Sequence, residues 1–107
     1  PYIVASVQEL DMANLRNMVD ILKDRMKTGV IVLASNYNNK VNIVAAATDD
    51  IVKRGVHSGH LIREVAKKVG GGGGGRPDMA QAGGKDTSKI DEALNSVPEL
   101  LLEQIGD

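Results

Sequence analysis

Residues 70–84 read Gly-Gly-Gly-Gly-Gly-Gly-Arg-Pro-Asp-Met-Ala-Gln-Ala-Gly-Gly, and no other stretch departs so far from ordinary composition. Six consecutive glycines contain Gly-x-Gly-x-x-Gly, but any glycine run does, so that match carries almost no weight. A phosphate-cradling P-loop needs Gly-Lys-Ser/Thr at its end and a strand before it. Here an apparent helix precedes the run and Arg76-Pro77 follows it, which argues against ATP binding. Two physical readings stay open. A flexible linker fits because ordering glycine costs much conformational entropy. An ordered binding loop fits because Met79-Ala80-Gln81-Ala82 suits close packing, Pro77 stiffens the exit, and glycine leaves amide N–H groups uncovered as anion donors.

Upstream of the glycines, Ser58 is placed to cap a helix with an apolar face of Leu61, Ile62, Val65, Ala66 and Val69. Its outer face carries Arg63, Lys67 and Lys68. Before it, Thr48-Asp49-Asp50 has the pattern of a short helix start, ending near Gly55. The Asp49-Asp50 pair is read as part of this start rather than as a magnesium site, because no further acids lie nearby. Residues 30–35 and 41–47 are apolar runs joined by Asn36-Tyr37-Asn38-Asn39-Lys40, the composition of a hairpin turn. At the front, residues 2–7 are apolar and β-branched, predicting a buried strand. Asp11 then caps a helix whose stripe is Met12, Leu15, Met18, Val19, Leu22 and Met26. Methionine at this spacing reads as core filler, and Gly29 supplies the stop.

Downstream, Asp86 or Thr87 starts a helical stretch with Ile90, Ala93, Leu94 and Val97 inward. Pro98 either kinks it or opens a separate last helix through Ile105. A strand, a helix and a strand at the front make the first two strands parallel by a right-handed crossover, and the hairpin adds an antiparallel neighbour. The expected architecture is α/β: a mixed sheet with flanking helices and a glycine-rich loop after a helix.

At 107 residues the chain makes one domain over 1–107, with a single modest core. Its 42% hydrophobic and 25% charged residues read as soluble and folded. No apolar run approaches the length that crosses a bilayer, and the start lacks the basic region of a signal peptide. Pro1 is not an initiator methionine, so the expectation is a piece of a longer protein. Without cysteine there is no disulfide framework and no thiolate zinc site, which fits a reducing cytosol.

The net charge of −1 is unevenly spread: residues 25–76 hold nine basic side chains against three acidic, while 77–107 hold two against seven. This polarity suggests one side facing a polyanion, although solvated basic faces explain it too. Tyr2 and Tyr37 are the only aromatic residues, which leaves no platform for stacking single-stranded bases. Phosphate and shape recognition by cations and amides remain.

Taken together, the run 70–84, the strand-helix-strand front, the hairpin and the amphipathic helix resemble the C-terminal domain of alanyl-tRNA synthetases. The same module occurs as the substrate-binding partner domain of DHH-type phosphoesterases, where the glycines look more like Gly-Gly-Gly-His and the histidine touches substrate. Arg76 stands where that histidine would be, which favours the synthetase branch and leaves the phosphoesterase domain as the alternative. The resemblance covers essentially the whole chain.

It implies a cytoplasmic protein whose upstream domains activate alanine with ATP, magnesium and zinc, charge tRNA and edit mischarged products. This domain would grasp the outer corner of tRNA(Ala), with no catalytic residue, metal or cofactor of its own. Dimerisation would fall to a helical segment outside these residues, leaving this chain monomeric. The expected tRNA-binding residues are Arg76, Gly72, Gly73, Gly74 and Gly75, joined by Lys53, Arg54, His60, Lys67 and Lys68. Arg76 can bridge phosphates or stack on a base through its planar fork. Its competing role is an ion pair with Asp78 or Asp86. His60, one helical turn before Glu64, faces the same cleft in this reading, while His57 reads as an ordinary polar residue.

Overall fold

A computed structural model describes residues 2–105; Pro1, on which the reading of a longer parent rests, lies outside them. Five strands and five helices form a three-layer sandwich. The strands are β1 (Tyr2–Gln8), β2 (Val30–Tyr37), β3 (Lys40–Ala47), β4 (Gly72–Gly75) and β5 (Met79–Gly84). The helices are α1 (Met12–Arg25), α2 (Asp49–Lys53), α3 (Ser58–Lys67), α4 (Ile90–Asn95) and α5 (Val97–Ile105). The sheet order is β1-β2-β3-β5-β4, with β1 and β2 parallel and every other pair antiparallel. The mixed sheet, the front crossover and the Asn-rich hairpin therefore stand as the sequence predicts. Asn38 and Asn39 hold φ of 53° and 59°, the left-handed region that asparagine tolerates.

Alternation along β2 and β3 sends side chains to two cores. On one face α1 lays Leu15 and Val19 against Ile31, Leu33, Val44, Ala46 and Met79. On the other, the remaining helices bury Val32, Ala34, Ile43, Ala45 and Ala82 beneath Leu61, Ile62 and Val65. β1 is not the buried strand its composition suggests. It is an edge strand, with Tyr2 52% and Ile3 37% exposed, because α1 crosses over β2 and β3 instead. Met18 is likewise 36% exposed, at the flank of the α1 stripe rather than in its core.

Several caps differ from expectation. Helix α1 ends at Met26, whose extended backbone leaves the helix three residues before Gly29. Gly29 instead opens β2, where its amide donates to the Thr48 hydroxyl. The N-cap of α3 is His57, not Ser58: its Nδ1 accepts from the His60 amide at 3.1 Å. Ser58 is fully buried, with its hydroxyl lacking a protein partner. Asp86 caps a 3-10 turn, Thr87–Lys89, and Pro98 lies in the first turn of the separate helix α5, where its missing N–H is tolerated.

The largest difference lies in the glycine run, which is neither linker nor loop. Gly70, at φ 69°, and Gly71 end α3 in a Schellman motif: the Gly71 amide donates to the Ala66 carbonyl and the Gly70 amide to that of Lys67. Gly72–Gly75 then form β4, the far edge of the sheet, paired with β5. Low β-propensity hides both strands in the sequence. Tertiary contact overrides it, since β4 and β5 pair with each other and both pack under α3.

Candidate nucleic-acid interface

The β4–β5 hairpin turns through Pro77 and Asp78, closed by the Arg76 amide donating to the Met79 carbonyl at 3.0 Å. Its tip is held from three sides. The Ser58 and Gly59 amides at the start of α3 donate to the carbonyls of Pro77 and Arg76. The Ala47 amide at the end of β3 donates to the Asp78 carbonyl, which Lys23 of α1 also approaches at 3.5 Å. The N-terminal amides of α3 are thus occupied by Pro77, Arg76 and His57, so this helix start is closed to an anion.

Arg76 leaves this tip with its side chain 74% exposed and its Nε 3.3 Å from Asp78 Oδ1. The same carboxylate faces Lys23 at 3.9 Å through its other oxygen. The ion pair anticipated with Asp78 therefore exists, and that with Asp86 does not. At such exposure it contributes little, of order 0–1 kcal/mol, and leaves most of the guanidinium free to meet a ligand.

Gly72, Gly73, Gly74 and Gly75 lie beside Arg76 along the free sheet edge. A side chain on Gly74 would find only the Arg63 guanidinium, 3.9 Å away. Arg63 was legible in the sequence as an outer-face cation of α3. Its place beside the glycines was not, because only the fold brings β4 against that helix. His60 sits one turn earlier, exposed, in a shallow groove with Arg63, Glu64, Glu103 and Gln104. Its ring stacks on His57 with centroids 3.8 Å apart. Partial burial, then the charges of His60 and Arg63, hold His57 below the ordinary imidazole range.

Lys67 and Lys68 close α3 on the solvent side, with Lys67 paired to Glu64 at 3.0 Å. Lys53 and Arg54 are exposed at the exit of α2, and Arg54 lines a different groove, with Tyr2, Val56, Leu101 and Ile105. The structure thus gathers Arg76, the glycines, Arg63 and His60 about the α3–β4 contact and sets Arg54 apart from them. On the opposite face Arg16 donates to Gln81 of β5 at 2.6 Å, adding a cation on the α1 side of the same hairpin. Asp50 accepts from the Thr28 and Thr48 hydroxyls, which lowers its pKa below the ordinary carboxylate value. Among the described residues no helix is long and apolar enough to cross a membrane.

The chain, with its mixed five-stranded sheet edged by a glycine strand, belongs to the DHHA1 domain family, which it matches over residues 1–103. Within that family it is similar to alanine–tRNA ligases. It is 53% identical to that of Desulforamulus reducens over 98% of this chain and 12% of the relative. To that of Geobacillus kaustophilus it is 59% identical, over 91% of the chain and 11% of the relative. The chain thus spans about an eighth of the length of these relatives. Its fold matches the crystal structure of the C-Ala domain of Aquifex aeolicus alanyl-tRNA synthetase, with a TM-score of 0.86 and 38% identity, covering 94% of this chain and 89% of that one.

Proposed function

We propose that this chain is the tRNA-binding C-terminal domain of an alanine–tRNA ligase, holding tRNA(Ala) while upstream domains carry out aminoacylation and editing. The observation that carries the reading is the glycine strand with Arg76 at its end and Arg63 beside it, in a chain similar to such ligases along nearly all of its length. Cations flank the hairpin from both faces of the sheet, and Asp78 in its turn already faces both Lys23 and Arg76. Such a ridge fits a phosphate backbone and offers no aromatic surface for reading unpaired bases. In this reading ATP, magnesium and zinc belong to the upstream domains, the isolated chain is a monomer, and the parent enzyme works in the cytoplasm.

The test is direct titration of the purified chain with tRNA(Ala), alongside assays for ATP-dependent charging, deacylation and phosphodiester hydrolysis. Weak, saturable tRNA binding without turnover is expected. Failure to bind tRNA at low salt would remove the proposed role, and turnover by the pure chain would show that it carries chemistry after all.

A further inference from the structure

The sheet has two edges, and the one formed by β1 lies farthest from the glycine strand. Its residues, Tyr-Ile-Val-Ala-Ser-Val-Gln, include no charge, proline or glycine. Edge strands are ordinarily guarded by charged residues, proline or bulges, because their outer N–H and C=O groups invite a further strand. β1 pairs with β2 alone, and among the described residues no other backbone bond reaches Tyr2–Gln8.

Exposed apolar surface gathers along the same edge. Six large apolar side chains are exposed among the described residues: Tyr2, Ile3, Met18, Ile21, Leu102 and Ile105. Ile3 lies on the α1 face of the sheet, paired with Ile31, and Tyr2 on the other face, paired with Val30. Helix α1 packs on β2 and β3, and its Arg16 and Lys23 reach Gln81 and Asp78 on the β5 side. Helical spacing therefore puts Met18 and Ile21 on the opposite flank, toward β1, where they line a shallow apolar depression. On the other face Tyr2, Leu102 and Ile105 line a second apolar groove. The open strand is thus bordered by apolar surface on both faces.

We propose that β1 receives an extended, uncharged strand from another part of the parent ligase, its alternate side chains entering the apolar surfaces on the two faces. This rests on reading the chain as one domain of a ligase, of whose relatives it spans about an eighth. The bare backbone calls for a strand, which satisfies a row of outward N–H and C=O groups, and the borders call for apolar side chains. A strand on the same polypeptide arrives at high effective concentration and closes an edge that would otherwise aggregate. Nucleic acid does not fit here, because β1 offers no cation to its phosphates.

Hydrogen exchange read by mass spectrometry compares residues 2–8 in the isolated chain and in the full-length ligase that contains it, both without tRNA. Exchange across β1 is expected to be at least about tenfold slower in the ligase. A photo-cross-linking residue in place of Leu102 in the ligase should join to a segment of the same polypeptide outside these 107 residues. Ile21→Lys and Leu102→Lys place charge at exposed positions. Each should leave the melting temperature of the isolated chain near wild type and remove most of the protection in the ligase. Equal exchange in the two proteins would overturn the inference, as would full protection in both lysine variants. Cross-links joining two copies of the ligase would overturn it too, by giving the edge to a second copy. Titration of the isolated chain with tRNA(Ala) is separate, since neither lysine lies on the glycine edge. Absent binding by the wild-type chain would remove the RNA role and leave the exchange result standing.

Discussion

Arg76 separates a structural from a functional role at the level of one side chain. Its pairing with Asp78 is mostly in solvent, so truncation removes little stability. If the guanidinium meets tRNA, Arg76→Ala should cost about 1–3 kcal/mol of binding while the melting temperature stays close to wild type. Arg76→Lys keeps the charge but loses the planar fork, and should recover only part of the affinity. Unchanged affinity with a lower melting temperature would assign Arg76 to the ion pair instead. His57 carries a different signature. Its pKa lies below the unfolded value, because burial, His60 and Arg63 disfavour its cation. The folded state therefore binds this proton less readily than the unfolded chain. The stability His57 contributes is complete above its unfolded pKa and is lost as pH falls toward the folded one. Protonation at Nδ1 would also remove the acceptor that caps α3. Urea unfolding between about pH 7.5 and 5.5 should show stability falling with acid. His57→Asn, which caps without titrating, should flatten that slope. An equally steep slope in the variant would place the titrating group elsewhere.

At the scale of elements, the decisive contact is α3 against β4. Gly59 in the first turn of α3 sits so close to β4 that an added Cβ would land on the Gly75 carbonyl oxygen. In an isolated helix Gly→Ala would be favourable by about 1 kcal/mol. Here overpacking should reverse the sign, and Gly59→Ala should destabilise the fold by about 1–3 kcal/mol, measured by chemical denaturation. It should also loosen the hairpin tip, because the Gly59 amide is one of the bonds holding the Arg76 carbonyl. A variant as stable as wild type would mean that α3 and β4 can separate at no cost. The pairing of β4 with β5 explains why composition misleads here. Glycine has low strand propensity, but three of the glycines meet β5 too closely for any side chain.

For the whole molecule, the net charge of −1 conceals a hairpin bordered by Arg76, Arg63, Arg16 and Lys23. Binding through that border should be electrostatic. If about three or four phosphates are neutralised, log affinity should fall by about 0.7–0.9 for each per decade of salt. A salt-independent isotherm would point to the apolar groove of Tyr2, Leu101 and Ile105 instead, away from the glycine edge.

The sequence alone determined the front half. Apolar runs, the helical stripe and the Asn-rich turn are local signals, and they yield β1 to β3 and α1 in the right order and pairing. The motif over residues 70–84 was likewise enough for the family resemblance. Tertiary structure decided the rest. That β1 is an edge strand follows from where α1 crosses, and that His57 caps α3 follows from the bend into that helix. That six glycines divide into a helix stop and a strand depends on β5 and α3 arriving from either side. Residue type reports what a backbone tolerates. Glycine tolerates nearly everything, so its conformation here was fixed by its neighbours in space.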